Sequence, residues 1–334
     1  MKYLIQTAVF LLVSSSICAQ DSQTYLFGSG ASEKNTTLVS VPVRYKSSTG
    51  YGFDFENIDQ VKIVGSEKNG PGYCTFEAPF YFSIRVPEGS YDVSVLLGNP
   101  ECESETTIKA EARRLMLFNY PLKKGGSELI HFIVNVRNPV IEGTDSIRLN
   151  SREYNYMNWD DRLTLEFSGT NQSVHQINVQ PAKKITTLYL AGNSTVTDQD
   201  HEPWASWGQM ITCYFDPQIA VANFAVSDES LASFKGSGRL RKVLSLIQPG
   251  DYLFIEFGHN DQKRKGEGIG PLTSFTDLLI EFVTGVHEKG AIPVFLTPTQ
   301  RRSFDESGRI SYTHGDYPAA MRKVADELKV PLSI

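Results

Sequence analysis

The chain has 334 residues, 40% of them hydrophobic and 21% charged, with a formal net charge of −6. That length suggests two globular domains, and that composition excludes a fibrous or wholly disordered chain. The acidic balance gives no electrostatic footprint for nucleic acid.

The first element is a leader. Lys2 supplies a positive start, Leu4 to Val13 a mostly apolar core, and Ser14-Ser15-Ser16-Ile17-Cys18-Ala19 a small-residue exit. Residues 1–19 therefore read as a secretory signal peptide, too short to span a membrane, and no later stretch reads as a span. The expectation is a secreted or periplasmic protein. A lipid anchor at Cys18 is disfavoured because Ile17 is bulky for that signal. Beyond the leader remain Cys74, Cys102 and Cys213. An oxidising compartment permits a Cys74–Cys102 bridge; the alternative is three free, small apolar side chains. Their spacing matches no metal site.

Residues 20–181 read as an all-β domain. Short alternating runs recur at Tyr25–Gly28, Thr36–Val41, Phe80–Val86, Tyr91–Leu97, His131–Val136 and Arg162–Phe167, separated by turns such as Pro87-Glu88-Gly89. This pattern indicates an antiparallel sandwich of jelly-roll type. Its Val86–Tyr91 hairpin and Leu163–Phe167 strand resemble the galactose-binding-like sandwiches attached to secreted carbohydrate enzymes. Most of its aromatic residues are expected in the core. The loop from Tyr154 to Trp159 is the place where rings could stack on a sugar.

Around Val179–Lys184 the chain turns polar, and residues 182–334 change character. Strands are expected at Ile185–Ala191, Ile219–Ala225, Tyr252–Phe257 and Ile292–Leu296, with a fifth opening at Val330–Ile334. Helices are expected over Gly238–Ile247, Leu272–Glu288 and Tyr317–Lys329. The alternation predicts an α/β fold, a flavodoxin-like parallel sheet with helices on both faces, left incomplete at its C-terminal side.

Polar segments then fall at the carboxyl ends of the first three strands, where open parallel sheets present their sites. They are Gly192-Asn193-Ser194, the Asn223–Phe234 loop, and Gly258-His259-Asn260-Asp261. A serine nucleophile needs a base and donors for a developing oxyanion. Asn260 can donate from its amide, and main-chain N–H groups near Ser194 can supply the rest. By itself, the Gly192–Ser194 turn favours the reading that Ser194 and Thr195 cap a helix. Glu256 reads as a buried, paired carboxylate, and Asp198 and Asp261 as local hydrogen-bonding groups. The basic runs Lys263-Arg264-Lys265 and Arg301-Arg302 read as solvated loops or as contacts for an anionic polysaccharide such as pectin.

Leu190-Ala191-Gly192-Asn193-Ser194-Thr195-Val196, Pro203-Trp204-Ala205-Ser206-Trp207-Gly208 and Phe257-Gly258-His259-Asn260-Asp261, in that order, resemble the conserved blocks of the SGNH (GDSL-type) hydrolases. The match is to their rhamnogalacturonan acetylesterase branch. The resemblance covers roughly residues 184–334. It implies Ser194 as nucleophile, Asn260 as side-chain oxyanion donor, and the N–H of Asp228 at the second block's usual glycine. Asn193 and His259 are implied as substrate-binding. The Asp228 side chain raises two concerns: a carboxylate beside an oxyanion, and backbone angles that favour glycine. The family's last block, Asp-x-x-His, has no match here. None of His131, His175, His201, His259, His287 and His314 has that context. The resemblance thus implies a secreted carbohydrate esterase that deacetylates rhamnogalacturonan through an acyl-enzyme, with the given chain cut short and inactive. The alternatives are a catalytically dead sugar-binding protein and an esterase of this fold for another acyl ester. The expected partner is an acetylated pectic polysaccharide or oligosaccharide. No cofactor, metal, nucleic acid or membrane span is implied.

Overall fold

The computed structural model describes residues 22–28, 34–55, 58–65 and 72–333. The leader expected at residues 1–19 lies outside these.

The N-terminal half is two sheets face to face. One orders the strands Ser127–Val136, Gly89–Gly98, Ser173–Pro181, Gln23–Phe27 and Thr36–Val39, with Lys62–Val64 and Tyr73–Thr75 attached. The other orders Tyr51–Asp54, Phe80–Arg85, Arg162–Thr170, Ser104–Ala110 and Arg114–Leu122. Alternate residues of both sheets turn inward and share one core, which includes Phe27, Phe53, Phe82, Val95, Leu165 and Ile177. All pairings are antiparallel except Gln23–Phe27 with Thr36–Val39, which run parallel. The first half of the expected polar linker at 179–184 is strand, since Ser173–Pro181 pairs along Gly89–Gly98 up to Pro181. The Cys74–Cys102 bridge is not formed; Cys74, Cys102 and Cys213 are all free.

The second half is one parallel sheet whose strands we label β1 (Thr186–Ala191), β2 (Ile219–Asn223), β3 (Tyr252–Ile255), β4 (Ile292–Leu296) and β5 (Leu332–Ser333). Their spatial order is β2-β1-β3-β4-β5, the doubly wound order whose chain reversal lies beside β1. One face packs against four helices: α2 (Leu231–Gly236), α3 (Arg239–Leu246), α4 (Thr276–Glu288) and α5 (Tyr317–Leu328). Local chemistry sets their ends. Ser230 and Ser233 form a reciprocal capping box on α2, and Pro318 sits in the first turn of α5. The other face carries the short α1 (Trp207–Met210) and the turn after it, over Leu188, Leu190 and Val221. Toward β3 and β4 that face is only partly covered, with Phe254, Ile292 and Val294 half-buried.

β2 is an edge strand, but two of its outward carbonyls are taken by the sandwich. Arg114 of the sandwich donates to the Val221 carbonyl at 3.0 Å, and Arg137 donates to the Asn223 carbonyl. Trp159, at the end of the loop where rings could stack on a sugar, lies in this interface. Its ring sits 4.9 Å from the Arg137 guanidinium and 5.7 Å from the Phe224 ring, with its N–H on Glu153. Its neighbour Tyr154 is exposed.

Candidate active site

The turn after β1 is built for close approach. A Cβ at Gly192 would come within 2.4 Å of Val196 Cγ2, so only glycine lets the chain double back there. Asn193 is fully buried, and its Oδ1 accepts from the Thr195 N–H at 3.2 Å and the Thr195 hydroxyl at 3.1 Å. It shapes the turn rather than lining the cleft. Ser194 is left exposed at the tip. Thr195 also donates to Glu256, whose other oxygen accepts from Trp207 Nε1 at 2.6 Å, so Glu256 is paired and its pKa is raised chiefly by burial.

Ser194 opens on a cleft of about 520 Å³, lined also by Thr195, Asp228, His259, Asn260 and Lys263 and, from the β4 end, by residues 299–302. Asp228 holds φ at +71°, the left-handed conformation that the family's glycine position implies, and aspartate is among the residues that tolerate it. Its carboxylate turns to Arg152, 3.1 Å away. Among the described residues the N–H groups of Ser194 and Asp228 make no hydrogen bond. Both concerns about Asp228 are thereby met within the fold.

Asn260 is nearly buried. Its Nδ2 donates to the Glu229 carbonyl at 3.0 Å, and Lys263 Nζ donates to its Oδ1 at 2.7 Å. One amide hydrogen remains uncommitted among the described residues. Asp261 accepts from the N–H groups of Leu231 and Gly258, both at 2.9 Å, and burial pushes its carboxyl up to about 6. It staples the third block to the start of α2.

His259 is buried, and burial, then His314 and Arg301, press its pKa down to about 4. It is therefore neutral at ordinary pH. Its ring meets His314 edge to face at 4.4 Å between centroids. His314, which the sequence placed in an unremarked polar loop, is fully buried, with Nδ1 3.4 Å from Gln300 Oε1. No linear motif links these two; the segment after β4 brings them together. Elsewhere His201 pairs with Asp200 at the surface, and His175 bonds the Gly72 carbonyl inside the sandwich. Among the described residues no histidine hydrogen-bonds Ser194, and no group of His, Cys, Asp and Glu is placed to hold a metal. The site thus gathers an exposed serine hydroxyl, two free main-chain N–H groups and a fixed carboxamide. That set can stabilise charge on an attacked carbonyl oxygen.

No family model matches the chain. Over 152 residues it is 47% identical to rhamnogalacturonan acetylesterase RhgT of Bacillus subtilis, covering 45% of this chain and 65% of that protein. Over 148 residues it is 38% identical to the probable rhamnogalacturonan acetylesterase YesY of the same organism, covering 43% and 68%. Across 316 residues it is 26% identical to the uncharacterized esterase YxiM of B. subtilis, covering 92% and 77%. The crystal structure of B. subtilis YxiM is similar with a TM-score of 0.44 at 24% identity, covering 94% of this chain and 85% of that one. The fold and the three blocks define an SGNH-type hydrolase. More narrowly, the chain belongs to the rhamnogalacturonan acetylesterase-like family of SGNH hydrolases. It spans about two thirds of the length of the acetylesterases it matches.

Proposed function

We propose that the protein is an exported serine esterase that removes acetyl groups from the pectic polysaccharide rhamnogalacturonan. The observation that carries this reading is the convergence of Ser194, the Asp228 N–H and the Asn260 amide on one cleft at the ends of β1, β2 and β3. The names of the relatives support the substrate. Lys263, Arg301 and Arg302 on the cleft wall suit an acidic polysaccharide, on a protein whose formal net charge is −6.

In this reading Ser194 Oγ attacks the acetyl carbonyl carbon. The carbonyl oxygen takes the negative charge and is held by the N–H groups of Ser194 and Asp228 and by Asn260 Nδ2. The C–O bond to the sugar then breaks, the sugar oxygen takes a proton, and acetyl stays on Ser194. Water attacks the acyl-enzyme and releases acetate. A base must take the serine proton, and loss of that member removes most of the rate.

The test is acetate release from acetylated rhamnogalacturonan by wild type and Ser194→Ala, alongside binding of the same polymer. Release that depends on Ser194 supports the esterase. Binding without any Ser194-dependent release overturns it in favour of a sugar-binding protein.

A further inference from the structure

The sandwich reaches the reactive loop through one turn and the end of another strand. Between its strands Ser104–Ala110 and Arg114–Leu122, Glu111 and Arg113 adopt φ of +55° and +63°. Arg113 Nη1 donates to the carbonyls of Gln199 and Trp204, each at 3.2 Å. The Ala112 carbonyl accepts from Gln209 Nε2 at 3.1 Å. Arg114, fully buried, holds Nε 3.3 Å from Asp198 Oδ2 while bonding the β2 carbonyl at Val221. Arg137 comes from the end of the Ser127–Val136 strand and places Nη2 3.5 Å from the same oxygen.

Asp198 follows Ser194 closely and is fully buried, and burial raises its pKa against the pull of the two arginines. Its Oδ1 accepts from Asn223 Nδ2 at 2.8 Å, and that amide also donates to the Val196 carbonyl at 2.6 Å. Thr197 Oγ1 donates to the Ala225 carbonyl at 2.9 Å. The loop bearing Ser194 and the loop bearing Asp228 are therefore sewn together at Asp198–Asn223. A lone buried carboxylate there would be strongly destabilising, and both compensating guanidinium groups come from the other domain.

We propose that Arg114 and Arg137 are positioning residues for the Ser194 site. Through Asp198 and the β2 carbonyls they fix the spacing between the N–H groups of Ser194 and Asp228. The sandwich is then part of the reacting unit rather than an appended sugar-binding module. This rests on Ser194 being the reacting group, yet its first test reads the loops and not the chemistry.

That test is native-state hydrogen exchange on the whole protein. The amides of Val196 and Thr197 donate to the Asn193 carbonyl, and that of Ala225 to Asn223 Oδ1. In wild type these three should open only together with the sandwich strands; opening while the Gly89–Gly98 strand stays protected overturns the proposal. Arg137→Lys keeps the charge but not the planar fork. It should speed exchange at those three amides about tenfold without changing the Gly89–Gly98 rates, and lower kcat for acetate release by a similar factor at unchanged KM. A uniform rise at every amide, or an unchanged kcat, overturns it. If Arg137→Lys does not fold, the wild-type pattern decides alone. Absence of acetate release alongside the expected exchange pattern overturns the proposed function and leaves the positioning role standing.

Discussion

Lys263 and Asn260 form one unit: the ammonium donates to the carboxamide oxygen across 2.7 Å while the amide nitrogen holds the Glu229 carbonyl at 3.0 Å. Two contacts fix the amide plane and leave one hydrogen for a developing oxyanion. Asn260→Ala should lower kcat for acetate release by about 10²–10³ with little change in KM. Lys263→Met, which frees the plane without removing the donor, should cost about tenfold. Steady-state kinetics on acetylated rhamnogalacturonan separate the two. A rise in KM alone would place Asn260 in ground-state binding instead.

Asp228 occupies a left-handed position at φ +71°, so replacements sort by backbone tolerance. Asp228→Ala should destabilise the fold by about 1 kcal/mol. Asp228→Gly should be close to neutral in stability and leave kcat nearly unchanged, because the carboxylate is turned to Arg152 and away from the developing negative charge. Urea midpoints and acetate release read the two effects separately. Equal stability of the alanine and glycine variants would count against backbone strain as the cause.

Acid should expose the burial of His259. Its folded pKa of about 4 lies below the ordinary 6.5, so the unfolded chain binds more protons between those values. Stability from this group is complete above about pH 6.5 and is lost as pH falls toward 4, by roughly 1–3 kcal/mol. Asp261, pushed up to about 6, works in the opposite sense over the same window. The informative quantity is therefore a difference. His259→Gln should lose less stability than wild type between pH 7 and pH 4.5 in urea unfolding. Parallel losses would show that His259 does not titrate as described.

Gly192→Ala tests the close turn directly. The new methyl would lie 2.4 Å from Val196 Cγ2 and 2.8 Å from its Cβ, and Val196 is fully buried. Overpacking there should cost roughly 1–3 kcal/mol and displace Ser194. Thermal denaturation and acetate release should both fall; unchanged values in both would mean that the turn relaxes freely.

The α/β half was legible because its strands are near-continuous apolar runs that end in polar segments; the roles of Ser194 and Asn260 came from the resemblance of those segments to the family's blocks. Asp228 came from the same resemblance, as the residue standing at the second block's glycine. His314 was not legible, since it meets His259 only through the irregular segment after β4, which has no periodic signal. Arg114 and Arg137 carry no sequence signal of their role. Nothing in an alternating pattern distinguishes a guanidinium facing water from one buried against a neighbouring domain. The same ambiguity hid the role of Trp159, whose loop setting suggested a sugar platform but whose ring packs against Arg137 and Phe224. The strand Ser173–Pro181 was missed because its polar alternation ran into the change of composition taken for a linker.

The outer edge of β2 is closed by guanidinium groups where most sheets use another strand, a helix or a loop. A free strand edge is a template for a second copy of itself. The α/β half produced without residues 20–181 would display that edge together with the apolar surface around Phe224. Its expected fate is insoluble self-association rather than a smaller working enzyme.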